Sequence, residues 1–339
     1  MAGDQPKVLA DIADIIMGQS PSGDFVSIQP EGLPLLNGPS EFTNYVPLPV
    51  QFTTDPKRIA VKGDLLFCVR GSTTGRMNWS DREYAIGRGL ASIRAKMPGT
   101  APAIRGIIEK ALPALLPAAT GSTFPNVGRL QLEMLPLPEG IGGLLASIST
   151  IVGSIDDKIE LNRRMATTLE EIARAIFRIW FVDFDPVCAK VEGRDIRLPS
   201  DIAAVFPSRF ARDGLPEGWN EQSMLDQATW VNGAAYKDMN FSDSPDALPV
   251  IKIGELKNGI GEGTKWTNTN LGDRYRITDG ELLFSWSGSP DTSIDAFVWV
   301  HGDAWLNQHI FAVRPNGYAS QGLLFAMLKE RLKNLQLFA

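Results

Sequence analysis

The chain carries only two cysteines and two histidines in 339 residues. Cys68 and Cys188 lie far apart in the sequence, and with His301 and His309 they do not make a typical four-ligand structural zinc site. No apolar run reaches the roughly 20 residues that cross a bilayer. The start, MAGDQPKVLADIAD, has no basic segment followed by an apolar core, so it does not read as a secretory signal. These absences point to a reduced, metal-free protein of the cytoplasm with no membrane partner. Positive charge is also short. Lys and Arg number 33 against 39 Asp and Glu, a net charge of −6. A chain-wide basic surface, the usual footprint of a nucleic-acid binder, is therefore excluded.

Catalytic signatures are missing as well. There is no G-x-x-x-x-G-K-[ST] phosphate loop, no G-x-S-x-G elbow and no H-E-x-x-H. Gly259, Gly261 and Gly263 have the wrong spacing for a dinucleotide fingerprint. Neither N-P-P-Y nor D-P-P-Y occurs, as an amino-methyltransferase would carry. Asp246 followed by Glu255 and Lys257 loosely imitates a metal-dependent nuclease, but so open a pattern arises often by chance. No catalytic residue and no bound metal or cofactor is assigned, and His301 and His309 read as structural or surface residues.

What the chain does have is a repeat. Gly63-Asp64-Leu65-Leu66-Phe67 returns as Gly280-Glu281-Leu282-Leu283-Phe284, and Gly71-Ser72 as Gly288-Ser289, both 217 residues later. Gly18 pairs with Gly233 and Leu33-Pro34-Leu35-Leu36 with Leu248-Pro249-Val250-Ile251 at a separation of 215. Leu90 to Arg94 pairs with Ile310 to Arg314 at 220. A period this long marks two copies of a domain and not a solenoid. Runs at 58–70, 84–95 and 126–135, and at 248–254, 274–286, 294–301 and 306–314, read as strands. Stretches 101–118, interrupted by Pro113, and 320–338 read as helices. The expected fold class is α+β: two similar mixed domains separated by a long coiled-coil-type helix.

That helix is not duplicated. Its apolar seam runs Ile141, Leu145, Ile148, Val152, Ile155, Ile159, Asn162, Ala166, Leu169, Ala173, Ile176, Trp180, with gaps of four and three in alternation. This is a heptad seam, and the polar Asn162 within it is a register device. At ~1.5 Å per residue it makes a rod of about 60 Å. The expected division is a first domain over 1–138, the spacer helix over 139–184, a linker over 185–215 and a second domain over 216–339. At a separation of 220, Ala339 aligns with Ala119, so the second copy is expected to lack its last part and the distal helix. The seam then requires a partner, another protein or a second copy of this chain.

The remaining chemistry is recognition. Between residues 55 and 105 ten basic side chains face four acidic ones. After each L-L-F strand comes a polar loop: Arg70 to Trp79 in the first copy, Ser285 to Ser293 in the second. Asn307-Gln308-His309 stands opposite Gly87-Arg88-Gly89. Arg reads guanine edges, Asn and Gln read adenine, and Ser and Thr reach bases or phosphates. The candidate DNA contacts are therefore Lys57, Arg58, Arg70, Ser72, Thr73, Thr74, Arg76, Asn78 and Arg88, with Ser287, Ser289, Thr292, Asn307, Gln308 and His309.

Four regions together resemble the specificity subunit of a type I restriction-modification enzyme: Leu9-Ala10-Asp11-Ile12 through Gly18-Gln19-Ser20-Pro21; K-G-D-L-L-F with R-G-S; T-G-S-T-F-P-N-V at 120–127; and the helix with I-D-D-K-I-E-L-N-R-R, L-E-E-I-A-R-A-I-F, W-F-V-D-F-D-P-V and the trailing E-G-R. The resemblance implies a non-catalytic subunit whose two domains each read half of a split sequence in double-stranded DNA. It implies partners too, methyltransferase (modification) subunits docked on the helix and a restriction subunit. S-adenosylmethionine, ATP and Mg²⁺ belong to those partners. A coiled-coil scaffold that no longer reads DNA is the alternative.

Overall fold

The structure is a computed structural model and describes residues 7–117, 126–289 and 292–336. It divides into two compact units, residues 1–165 and 166–339, so the boundary falls inside the long helix.

Unit 1 contains α1 (Leu9–Ile12), β1 (Ala13–Met17), β2 (Val26–Ser27), β3 (Leu33–Leu36), β4 (Gln51–Thr53), β5 (Ile59–Ala60), β6 (Leu65–Cys68), β7 (Met77–Trp79), β8 (Tyr84–Ile86), β9 (Leu90–Ala95), α2 (Ala101–Leu115), α3 (Arg129–Glu133) and the start of α4 (Leu145–Phe181). One sheet runs β1-β9-β6-β7, the other β2-β4-β3-β8-β5. Unit 2 contains the end of α4, then α5 (Asp185–Glu192), α6 (Ser200–Val205), β10 (Ala228–Asn232), β11 (Leu248–Ile251), α7 (Ile253–Asn258), β12 (Lys265–Thr267), β13 (Arg276–Ile277), β14 (Leu282–Ser285), β15 (Asp295–Val298), β16 (Ala304–Leu306), β17 (Ile310–Pro315) and α8 (Gln321–Gln336). Its sheets run β10-β17-β14-β15 and β12-β11-β16-β13. The repeat in the sequence is thus a repeat of topology. A parallel strand pairing recurs in each unit as well, β3 with β8 and β11 with β16.

The repeated motif has a physical reason. Successive strand residues face opposite sides of a sheet. In β6, Leu65 and Phe67 enter one core cluster while Leu66 and Cys68 enter the other. In β14, Leu282 and Leu283 divide in the same way. A strand with a core on both faces must be apolar throughout, which is why L-L-F recurs. Gly63 and Gly280 precede it with φ of 91° and 88°, a region that favours glycine. The acid that follows closes the turn: Asp64 accepts from the Val61 N–H, and Glu281 from the Thr278 N–H. Each acid also holds an arginine of the neighbouring strand. Arg94 donates twice to Asp64 (2.9 and 2.8 Å) and Arg314 once to Glu281 (2.8 Å). The bond to Asp64 raises the Arg94 guanidinium pKa above its ordinary value. Asp64 is 2% exposed and also accepts from Ser92 Oγ. Asp64→Ala strands these donors, and unit 1 is expected to lose about 3 kcal/mol of stability. Denaturant unfolding checks it; an unchanged midpoint would refute the role.

Several expectations are corrected. The run 126–135 is not one strand: Asn126 makes a single antiparallel bridge with Arg70, and residues 129–133 are helix α3, where Gln131 Oε1 accepts from the Gly128 N–H (2.7 Å) and caps its start. Pro113 does not interrupt α2, which continues to Leu115. The stretch 185–215, expected as a linker, is not without structure. It carries α5 and α6, and its Phe206 and Phe210 join Phe177, Trp180, Phe181, Phe184 and Trp219 in an aromatic cluster. W-F-V-D-F-D-P-V encodes this cluster and the helix stop, with Phe184 at a φ of 53° and Pro186 in the first turn of α5. The motif T-G-S-T-F-P, 120–125, lies outside the described residues.

The long helix is one uninterrupted stretch of 37 residues. Its seam is not uniformly free. Ile141 and Leu145 are buried in the core of unit 1, and Ile148 packs against it. The Ser149 hydroxyl accepts from the Ala103 N–H (3.1 Å), and Arg105 pairs with Asp156 (3.4 Å). The Tyr45 hydroxyl donates to Asp157 (3.0 Å). Burial and that bond push its pKa up to about 12, so it remains a neutral donor. Trp180, at the other end, packs on Phe206 with ring centroids 5.5 Å apart. Between these anchors Ile155, Ile159, Asn162, Ala166, Leu169, Ala173 and Ile176 are exposed. Leu161, Met165, Ile172 and Ile179 are exposed one position earlier, so the bare stripe is broader than a two-in-seven seam.

The two units differ at one sheet face. In unit 1 Leu132, Leu135, Ile141 and Leu145 cover the cluster holding Ile15, Phe67 and Ile108. The equivalent positions in unit 2, Trp230, Phe284 and Leu328, line an apolar groove of roughly 270 Å³.

Candidate nucleic-acid interface

Each unit makes a tight turn between its last two strands, and the backbone around it is the same in both. Gly87 N–H donates to Leu36 O and Asn307 N–H to Ile251 O; Leu90 N–H donates to Gly87 O and Ile310 N–H to Asn307 O. Gln19 N–H reaches Ile86 O as Ala234 N–H reaches Leu306 O. Val69 N–H reaches Gly89 O as Trp286 N–H reaches His309 O. The turn is pinned by Gly18 and Gly233, where an added Cβ would sit 2.1 Å from Gly87 O and 2.2 Å from Asn307 O.

On this shared frame the side chains diverge. In unit 1 the turn is Gly87-Arg88-Gly89. Beside it run Val69-Arg70, and Arg58, whose carbonyl accepts from the Ile86 N–H (3.0 Å). Arg58, Arg70 and Arg88 are exposed, and among the described residues none has an acidic partner. The turn thus gathers uncompensated cations, which suits phosphate and guanine. In unit 2 the same positions hold Trp286, Ser287, Gln308 and His309. Trp286 Nε1–H donates to Asn232 Oδ1 (3.0 Å), its ring lies 5.7 Å from His309, and Gln308 Nε2 lies 3.2 Å from His309 Nε2. The aromatic–amide cluster replaces the cations. Trp286, 41% exposed, and Asn232 are absent from the candidates drawn from sequence. Nothing in a linear reading shows that residue 286 falls beside residue 309.

The other candidates separate by burial. Lys57 is paired with Asp55 (2.6 Å). Arg76 is exposed but donates to the Pro39 and Phe42 carbonyls (both 3.4 Å). Ser72, Ser289 and Thr292 are exposed, and Thr73 and Ser287 are half-buried. Three candidates belong to the framework. Asn78 is 3% exposed and donates to Thr43 O (2.8 Å); Thr74 donates to Gly71 O (2.8 Å); Asn307 is 6% exposed. Loop polarity alone does not show that the Asn78 and Thr74 side chains turn inward to backbone carbonyls. Half of the basic side chains of the stretch 55–105 are compensated, since Lys57, Arg82, Arg94, Lys96 and Arg105 pair with Asp55, Asp81, Asp64, Asp14 and Glu109.

The nuclease-like pattern has a structural explanation. Glu255 lies in the first turn of α7, where its carboxylate accepts from the Lys252 N–H (3.0 Å) and the Thr264 hydroxyl (3.2 Å). No cluster of three or more His, Cys, Asp or Glu able to hold a metal occurs among the described residues. No helix among them is long and apolar enough to cross a membrane.

No family model matches the chain. Curated relatives do, two of them as follows. The type I restriction enzyme HindI specificity subunit of Haemophilus influenzae is 27% identical, over 43% of this chain and 41% of that one. The putative type I restriction enzyme MjaX specificity subunit of Methanocaldococcus jannaschii is 29% identical, over 49% of this chain and 39% of that one. The match thus spans about two-fifths of the length of each relative. The crystal structure of the S subunit of a type I restriction-modification system from M. genitalium shares the fold, with a TM-score of 0.50 over 100% of this chain and 80% of that one, at 12% identity. In sequence over about half of its length the chain is similar to type I restriction-enzyme specificity subunits, and in fold over its length it is similar to the M. genitalium S subunit.

Proposed function

We propose that the chain is the non-catalytic sequence-reading subunit of a type I restriction-modification complex. Each unit reads one half of a bipartite site in double-stranded DNA. The exposed stripe of α4 takes modification subunits, or a second copy of this chain, and the restriction subunit joins the assembly. S-adenosylmethionine, ATP and Mg²⁺ act on those partners and not here. The observation that carries the reading is the turn after β8 and after β16. Its backbone bonds are kept in both units, while its exposed side chains change from cations to an aromatic–amide cluster. Two readers of different sequences on one scaffold require that division.

The test is DNA binding by the complex reconstituted with modification subunits, across a salt series. Preference among duplex sequences and a steep fall of affinity with salt are expected, because each phosphate neutralised releases condensed counterions. Arg58→Ala with Arg70→Ala should weaken all sequences alike and flatten the log–log salt slope by about two. Assembly without any DNA affinity would favour the scaffold reading instead.

A further inference from the structure

The equivalence of Arg88 and Gln308 allows the reading to be carried to single side chains. Both stand at the middle of the turn, 220 residues apart, and both are exposed. Their flanks are not interchangeable. A Cβ at Gly87 would meet Asn37 Oδ1 at 2.6 Å, and one at Gly89 would meet Asn37 O at 2.5 Å. Unit 1 must keep glycine on both sides of Arg88, whereas unit 2 carries Asn307 and His309 there. In unit 1 the middle residue is therefore the one member of the turn that can change at no cost to the frame.

Each side chain is prepared for one base. Gln308 has two amide N–H groups and a carbonyl oxygen. Its Nε2 contact with His309 uses one N–H at most, and His309 is itself held beside the tethered Trp286 ring. One N–H and the oxygen remain, the donor and acceptor that match N7 and N6 of adenine in the major groove. Arg88 has five N–H donors and, among the described residues, no side-chain acceptor. That fork matches O6 and N7 of guanine.

We infer that Gln308 is the adenine-reading residue of unit 2 and Arg88 the guanine-reading residue of unit 1. The inference rests on the DNA-reading function proposed above and adds which base each unit takes at this point.

The experiment uses the full chain in its complex with modification subunits and a library of duplexes randomised within the site. Wild type, Gln308→Arg, Arg88→Gln and Gln308→Ala are compared by selection and sequencing, with affinities measured on the selected duplexes. Gln308→Arg should convert one position of one half-site from A·T to G·C. Arg88→Gln should convert one position of the other half from G·C to A·T. Each changes the discrimination at that position by about 10- to 100-fold and leaves the opposite half as in wild type. Gln308→Ala should erase the preference at its position without creating a new one. Thermal unfolding should be unaltered, since both side chains are exposed. Unchanged base preferences in all three variants would overturn the inference, as would a uniform loss of affinity for every sequence, the mark of a phosphate contact. If the wild-type complex selects no sequence at all, the DNA-reading function itself falls, which separates the two failures.

Discussion

Gly233→Ala is expected to unfold unit 2 under conditions in which the wild type is stable. The new Cβ would lie 2.2 Å from Asn307 O, 2.5 Å from Asn307 C and 2.5 Å from Leu306 O. All three are backbone atoms of the turn and of β16, so no flexible side chain can yield. Relief requires moving β10 away from its neighbours. That breaks the Gly233 N–H bond to Ile310 O and strains the Ala234 N–H bond to Leu306 O. Overpacking and lost hydrogen bonds together should cost about 4 kcal/mol, in the rare upper range for one substitution. Gly18→Ala should do the same to unit 1. Gly254→Ala is the control, because nothing lies within 4 Å of its added Cβ. Denaturant unfolding followed by tryptophan fluorescence reads the effect. A Gly233→Ala midpoint equal to that of Gly254→Ala would show that the close approach is not a constraint.

The second large effect belongs to the helix. Ile155→Asp combined with Leu169→Asp should abolish assembly with modification subunits while leaving both units folded. The wild-type side chains are 55% and 60% exposed, so they contribute little to the stability of the isolated chain. Buried in an interface, each would contribute roughly 1.5–3 kcal/mol, and a carboxylate in its place must also be desolvated. A loss of at least about 1000-fold in affinity for the pair follows. Ile148→Asp is the informative contrast: that residue packs on the core of unit 1 and should unfold it. Normal co-purification of the double variant with its partner subunits would show that the stripe is not the docking surface.

Much of the fold could be read from sequence because a few residues carry strong physical constraints. Gly63 and Gly280 need a positive φ, the acids after them close the turn, and L-L-F serves a strand with a core on each face. The long helix was legible because its period persists over many turns. Short elements were harder. The stretch 126–135 has the apolar content of a strand, and only the Gln131 cap shows where α3 begins. The aromatic residues at 206, 210 and 219 form no periodic pattern, so their cluster with Phe181 and Phe184 was invisible in one dimension. In the candidate interface, the turn and its central residues were found by aligning the copies. Which polar side chains point inward was not, because Asn78 and Arg76 are alike as loop residues until Thr43 O is placed beside one of them.

The bare middle of α4 bears on how the two units can be recombined. From Leu161 to Glu170 every residue is exposed. Toward the N-terminus the helix is fastened to the core of unit 1, and toward the C-terminus its Trp180 and Phe181 are fastened to Phe206 and Trp219. A crossover between two related genes within this window would join a foreign unit 2 to a resident unit 1 without cutting a buried contact in either. Only the heptad phase of the helix would have to be preserved. Recombination there would exchange one whole unit in a single event, while point changes at the turns would alter one side chain at a time.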